Sequence, residues 1–319
     1  MSLPELESLI PRRVVIGAGA HAALAEALRA VCGTLEIRGN THTELTPADL
    51  AWGDTYVGFR RPPLPSMGNV RWVHCTGAGV DSWLYPTELS RDILLTRTAE
   101  SFGPAIAEWA LARALAFSQQ LRDLAECQRE HRWVPRDVSS LRGTTAVIVG
   151  TGDIGTHTGR LFSALGCRVI GVSRSGNADR SVFAEVHRTS ALRDLAPSAD
   201  WLILALPHTR ETRRLLSREL LSAFRGAVLI NAGRGVVVEE SAIPIALNEG
   251  WLRGAALDVF EVEPLPADSP LWDDPRVMIS PHSSGPTTVE GAVSGFLECL
   301  SEIERGVWPA RKVDRDREY

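Results

Sequence analysis

Three polar side chains in this chain could act together on a small acid: Arg234, Glu263 and His282. Each follows a short apolar run. Residues 227–230 lead into Asn231-Ala232-Gly233-Arg234-Gly235, residues 255–259 lead toward Glu263-Pro264, and residues 277–280 stop at Pro281, just before His282. An arginine offers a planar fork of donors that can grip a carboxylate at both oxygens. A histidine can give a proton to a carbonyl oxygen. A glutamate on the far imidazole nitrogen fixes the tautomer and is expected to raise the pKa from its reference of roughly 6.5, keeping the acid charged near neutrality. Taken singly, Arg234 could be a loop cation, Glu263 a solvated acid and His282 a satisfied core or loop histidine. Together, after successive strands, they are more specific than any one of them. The other seven of the eight histidines lack such a placement.

Strands must bring these groups to one edge. In open α/β sheets, ligands bind outside the carboxyl ends of the strands. Short apolar runs bounded by Gly or Pro predict strands at 146–149, 168–172, 201–206, 227–230, 255–259 and 277–280. The first is followed by Gly150-Thr151-Gly152-Asp153-Ile154-Gly155 and a helical pattern through Leu161, Phe162 and Leu165, closed by Gly166. A strand, this glycine spacing and a helix form a dinucleotide-binding turn, whose helix N-terminus offers N–H groups to a pyrophosphate. A looser copy, Gly17-Ala18-Gly19-Ala20-His21-Ala22, carries Glu36 nineteen residues after Gly17. We read it as the first βα turn of another domain, because the strands after it do not end in chemically useful residues.

The first hundred residues offer weaker strands at 14–16, 35–37, 56–59, 72–74 and 94–96. Pro104 fits the first turn of a long helix running toward Arg129, with more apolar surface than one stripe needs. That helix is a core element or a subunit interface. A further helix is expected over 288–306. Short apolar strands alternating with helical patterns predict an α/β fold with mostly parallel sheets.

Composition excludes several classes. A chain of 319 residues suggests two domains, and its 44% hydrophobic and 23% charged content is that of a globular protein. The net charge of −5 without a basic block argues against nucleic acid. Five scattered cysteines suggest neither a metal site nor a disulfide framework and fit a cytoplasmic protein. Glu5 and Glu7 and the lack of an apolar core argue against a signal peptide. No run reaches the ~18 apolar residues of a membrane span. The tail over 311–317 mixes both signs and is expected to be a solvated end.

Five blocks carry a family resemblance: Gly150 to Gly155, Leu206-Pro207-His208-Thr209-Arg210-Glu211-Thr212, Asn231 to Gly235, Ala256-Leu257-Asp258-Val259-Phe260-Glu261-Val262-Glu263-Pro264-Leu265-Pro266, and Ser280-Pro281-His282. They resemble the D-isomer-specific 2-hydroxyacid dehydrogenases, of the glyoxylate/hydroxypyruvate reductase-like kind. The resemblance is dense over 97–287 and thinner at His74-Cys75-Thr76-Gly77-Ala78-Gly79-Val80-Asp81. It implies two doubly wound domains, Rossmann-like and flavodoxin-like. The substrate domain would be split, 1–97 plus 288–319, around a cofactor domain at 98–287. Arg234 would clamp the substrate carboxylate, Glu263 would partner His282, and His282 would be the acid/base. Backbone N–H groups of Ala78, Gly79 and Val80 would help bind substrate. Gly150, Gly152, Asp153, Ile154, Gly155, Leu206, Pro207, Thr212, Ala232, Gly233, Asp258, His282 and Ser284 would line the cofactor. The resemblance also implies a homodimer through the cofactor domain.

Two departures matter. Where the family often has Asn after the strand ending near Thr96, this chain has Arg97-Thr98. After the second strand of the dinucleotide unit, an NAD site has an acid on the ribose. This chain has Ser173-Arg174-Ser175 instead, and the closest downstream acid is Asp179. A Ser-Arg-Ser run can hold a 2′-phosphate, with charge-assisted contacts of roughly 1.5–3 kcal/mol from Arg174. NADPH is therefore the expected cofactor, in the reduction of a small 2-oxo acid to a D-2-hydroxy acid. Two other functions share this fold: a non-enzymatic nicotinamide-sensing co-repressor or scaffold, and a dehydrogenase for another small anion such as formate or phosphite. The lack of an added partner-binding tail argues against the first and Glu263 against the second.

Overall fold

The computed structural model describes residues 6–99 and 102–319. Glu5, used above against a targeting signal, lies outside the described residues. The chain divides into two compact units, residues 1–101 with 287–319, and residues 102–286. The divisions fall close to the expected 97/98 and 287/288.

In the first unit, β1 (Arg13–Gly17), β2 (Glu36–Asn40), β3 (Thr55–Val57), β4 (Trp72–Cys75) and β5 (Leu94–Arg97) form one sheet in the order β2-β1-β3-β4-β5. All its pairings are parallel. This is the flavodoxin-like order. Alternation along the strands builds two cores. Val14 and Ile16 join one with Val57 and Trp72, while Val15 joins the other with Tyr56 and Val73. Helix α1 (His21–Val31) covers the first face through Leu24 and Leu28, together with the helix predicted over 288–306. That helix spans Val289–Glu304, capped by the Thr288 hydroxyl. Its Phe296 ring stacks on Trp72 at 4.8 Å and is fully buried. Burying a side chain of this size is worth about 1.5–3 kcal/mol.

The second unit begins with α2 (Gly103–Ser118) and α3 (Leu121–Arg129). These replace the single helix expected from Pro104 toward Arg129. The chain breaks at Gln120, whose φ of 49° cannot continue a right-handed helix. The apolar pattern through Leu121 and Leu124 hid the break. Pro104 does sit in the first turn of α2. Seven strands follow: β6 (Thr145–Val149), β7 (Arg168–Ser173), β8 (Glu185–Arg188), β9 (Trp201–Leu204), β10 (Ala227–Asn231), β11 (Leu252–Leu257) and β12 (Val277–Ile279). Their order is β12-β11-β10-β9-β6-β7-β8, and every pairing is parallel. Strand β8 was not expected. It is a half-exposed edge strand, Glu-Val-His-Arg, with one apolar residue. Helix α4 (Asp153–Ala164) follows β6 and packs on α2. The strand order reverses between β6 and β9, so the crevice a ligand would use lies outside their carboxyl ends.

Candidate active site

The expected site residues of the second unit lie where its strands end. Arg234 follows β10, Glu263 follows β11, and His282 follows β12. His282 Nδ1 lies 2.8 Å from Glu263 Oε2. The other oxygen, Oε1, accepts the Phe260 N–H at 3.1 Å. The glutamate is thus held at both ends. A carboxylate only accepts, so Nδ1 carries a proton and Nε2 is the nitrogen left to exchange one. Burial pushes the Glu263 carboxyl up. The hydrogen bond and charge of His282, the Phe260 N–H and the Arg234 charge together pull it below the usual carboxylate range. Arg234 therefore acts on the same carboxylate that His282 meets.

The Arg234 loop is fixed from within. Asn231, at the end of β10, accepts from Gly233 N and donates to Arg234 O. Arg234 Nη1 reaches the Gly233 carbonyl at 2.8 Å.

The turn that carries His282 is strained. His282 has φ 49°, a left-handed conformation for a residue with a Cβ. Asp258 holds it there. The His282 N–H donates to the Asp258 carbonyl at 2.8 Å, and the Asp258 carboxylate takes the Ser283 and Ser284 N–H groups and the Ser280 hydroxyl. Trp109 Nε1 donates to Ser280 from α2 at 3.2 Å. Asp258 is fully buried. Sequence reading placed it only on the cofactor, because its partners lie more than twenty positions away. An acid directly after a buried strand was the available signal.

The dinucleotide turn has the shape its sequence predicts. Gly150 has φ 102°, and a Cβ there would collide with the Ala205 carbonyl at the end of β9. A Cβ on Gly152 would meet nothing within 4 Å, and no side chain caps α4. An open space over an uncapped helix N-terminus suits a pyrophosphate. The Asp153 carboxylate is taken by the Gly103 N–H at 3.0 Å and by His157. Asp153 and Ile154 open α4, and Gly155 packs against the Gly150 carbonyl. Leu206 and Pro207 follow β9, with Thr212 bonded back to the Pro207 carbonyl at 2.7 Å. Ala232 is buried, and Gly233 packs against the Leu206 backbone.

Ser173 ends β7. Its hydroxyl donates to Asn177 O and accepts from Gly176 N, while Ser175 accepts from Asn177 N. Arg174 Nη1 lies 3.9 Å from Glu211, a partner that sequence reading missed. Both side chains are largely exposed. The Ser173 hydroxyl is thus engaged within its own turn, and Arg174 brings positive charge beside it.

The loop from Gly77 to Val80 belongs to the first unit, after β4. Arg97, standing where the family often has Asn, donates to the Ala78 carbonyl at 2.9 Å. The departure thus orders the loop expected to bind substrate. Among the described residues, no helix is long and apolar enough to cross a membrane.

A family model described as "D-isomer specific 2-hydroxyacid dehydrogenase, NAD binding domain" matches residues 111–284. A glyoxylate/hydroxypyruvate reductase A from Escherichia fergusonii is 32% identical over 276 residues, covering 83% of this chain and 87% of its own. A solved D-isomer specific 2-hydroxyacid dehydrogenase family protein from Aeromonas salmonicida superposes with a TM-score of 0.87 at 32% identity, over 96% of this chain and 99% of its own. The NADPH-dependent glyoxylate/hydroxypyruvate reductase of Sinorhizobium meliloti, solved with NADP and sulfate, gives 0.85 at 28% identity, over 97% and 100%.

Proposed function

The chain belongs to the D-isomer-specific 2-hydroxyacid dehydrogenase family, and we propose that it reduces a small 2-oxo acid, glyoxylate or hydroxypyruvate in kind, to the D-2-hydroxy acid with NADPH. Its membership makes it an NAD(P)-dependent enzyme. The observation that carries the reading is the 2.8 Å pair of His282 and Glu263, with the Arg234 charge acting on the same glutamate.

The reduced nicotinamide, when bound, supplies the hydride that reaches the carbonyl carbon. The chain's residues do the rest. Arg234 holds the substrate carboxylate through its fork and so orients the neighbouring carbonyl. In the first unit, the backbone N–H groups of Ala78, Gly79 and Val80 are the proposed substrate-binding donors. His282, doubly protonated, gives the Nε2 proton to the carbonyl oxygen, which becomes the hydroxyl. Glu263 stabilises the imidazolium before transfer and keeps Nδ1 protonated after it. Asp258 holds the turn that aims His282.

Gly150, Gly152 and the first turn of α4 receive the pyrophosphate. Ser173, Arg174 and Ser175 receive the 2′-phosphate. NADP preference is supported by the absence of an acid after β7 and by the Sinorhizobium meliloti relative, which is NADPH-dependent.

The enzyme pairs as a homodimer through its second unit. Leu121, Leu124, Trp133 and Val138 are exposed there, Trp133 at 98%, an apolar face suited to a second copy. Five free cysteines support a cytoplasmic location. The direct test is absorbance at 340 nm with a panel of 2-oxo acids and both cofactors. No turnover with any of them would refute the reading, and light scattering reports the dimer.

A further inference from the structure

The glycine turn after β1 has no part in the chemistry above, yet it is built like a ligand site. In a sheet of order β2-β1-β3-β4-β5, the order reverses between β1 and β3, and ligands bind at that switch point. A cavity of about 320 Å³ opens there, lined by residues of the first unit alone. Gly17 lets the ends of β1 and β3 approach, since a Cβ would collide with Tyr56. A Cβ on Gly19 would meet nothing within 4 Å, so the turn faces open space. Helix α1 starts at this turn. It runs eleven residues, its N-cap is Ala20, no side chain caps it, and no acid stands in its first turn. Its positive end is bare.

Independent features of the wall point the same way. Thr76 lies in the cavity wall and is only 2% exposed, and its hydroxyl has no hydrogen-bond partner among the described residues. A hydroxyl in this wall can donate to an anion in the cavity. Arg60 and His42 also line the cavity, and its lining includes no Asp or Glu. Burial and the Arg60 charge both pull the His42 imidazole below its ordinary value.

We propose that this cavity binds a small anion, a carboxylate or phosphate group, through the N-terminus of α1, Arg60 and the Thr76 hydroxyl. The group belongs to a separate small anion, held by the first unit alone. The inference therefore does not rest on the function proposed above.

Inorganic phosphate is the probe, titrated by calorimetry at fixed ionic strength into the whole chain and two variants. Arg60→Ala removes an exposed side chain and should weaken binding at least tenfold. Ala20→Asp places a carboxylate at the N-cap, where it supplies the helix end from within. This variant should raise Tm and abolish phosphate binding while keeping Arg60. If phosphate binds equally to all three proteins, or to none of them, there is no anion site. Calorimetry needs no turnover, so this failure is distinct from failure of the reductase reading.

Discussion

Gly235 packs directly against the Phe260 carbonyl, so closely that a Cβ would overlap it. This contact joins the loop of Arg234 to the turn whose Phe260 N–H holds Glu263. Two strands thus deliver the carboxylate clamp and the imidazole's partner as one unit. Gly235→Ala must push them apart. Overpacking of this kind costs about 1–3 kcal/mol. Denaturant unfolding should show the loss, and KM for the 2-oxo acid should rise more than KM for NADPH.

Asp258 acts through His282. Asp258→Asn replaces one acceptor oxygen with a donor, against Ser280, Ser283 and Ser284, which all donate to it. Stability should fall by roughly 1–3 kcal/mol, the cost of an unsatisfied buried group. A purely structural role would lower Tm alone. The positioning role also predicts a lower kcat at temperatures where the variant is fully folded.

Glu263 gives a pH signature. Its carboxyl is lowered from 4.5 by the hydrogen bond and charge of His282, the Phe260 N–H and Arg234, against the opposing effect of burial. A lowered acid contributes stability that is fully present above its unfolded value and is lost as pH falls through its folded value. The ion pair should therefore help stability above about pH 4.3, the unfolded reference, and fade below it. In Glu263→Gln, unfolding curves should lose this acid-side dependence. Gln cannot stabilise an imidazolium, so reduction should also fall off at lower pH than in the wild type.

Cofactor preference turns on Ser173 and Arg174. Ser173→Asp with Arg174→Ala should reverse it, mainly through KM for the cofactor. Glu211 competes weakly for Arg174, at 3.9 Å between exposed side chains. Such pairs are worth about 0–1 kcal/mol, so Glu211→Gln should tighten NADPH binding by up to about fivefold. NADPH fluorescence titration measures both effects. Wild-type enzyme using NADH as efficiently as NADPH would overturn the assignment.

Much of this was legible because strands in parallel sheets are buried on both faces and read as apolar runs. Residues 146–149 and 227–230 fell inside β6 and β10. Arg234, Glu263 and His282 stood out by following such runs, and the turn at Gly17 was rightly separated from the one at Gly150. Strand β8 was illegible because an edge strand need not be apolar. The break at Gln120 was hidden by a hydrophobic pattern that continues across it. Asp258 carried a signal, an acid directly after a buried strand, but its hold on His282 depends on serines from another loop.

The central claim is that His282 donates the proton in a reduction by NADPH. The measurement is kcat for His282→Ala against wild type, with glyoxylate and hydroxypyruvate at 340 nm, alongside the NADPH Kd by fluorescence. Loss of a general acid lowers kcat by roughly 10²–10⁴. We expect that fall with Kd nearly unchanged. A His282→Ala enzyme that keeps wild-type kcat on these acids would contradict the account.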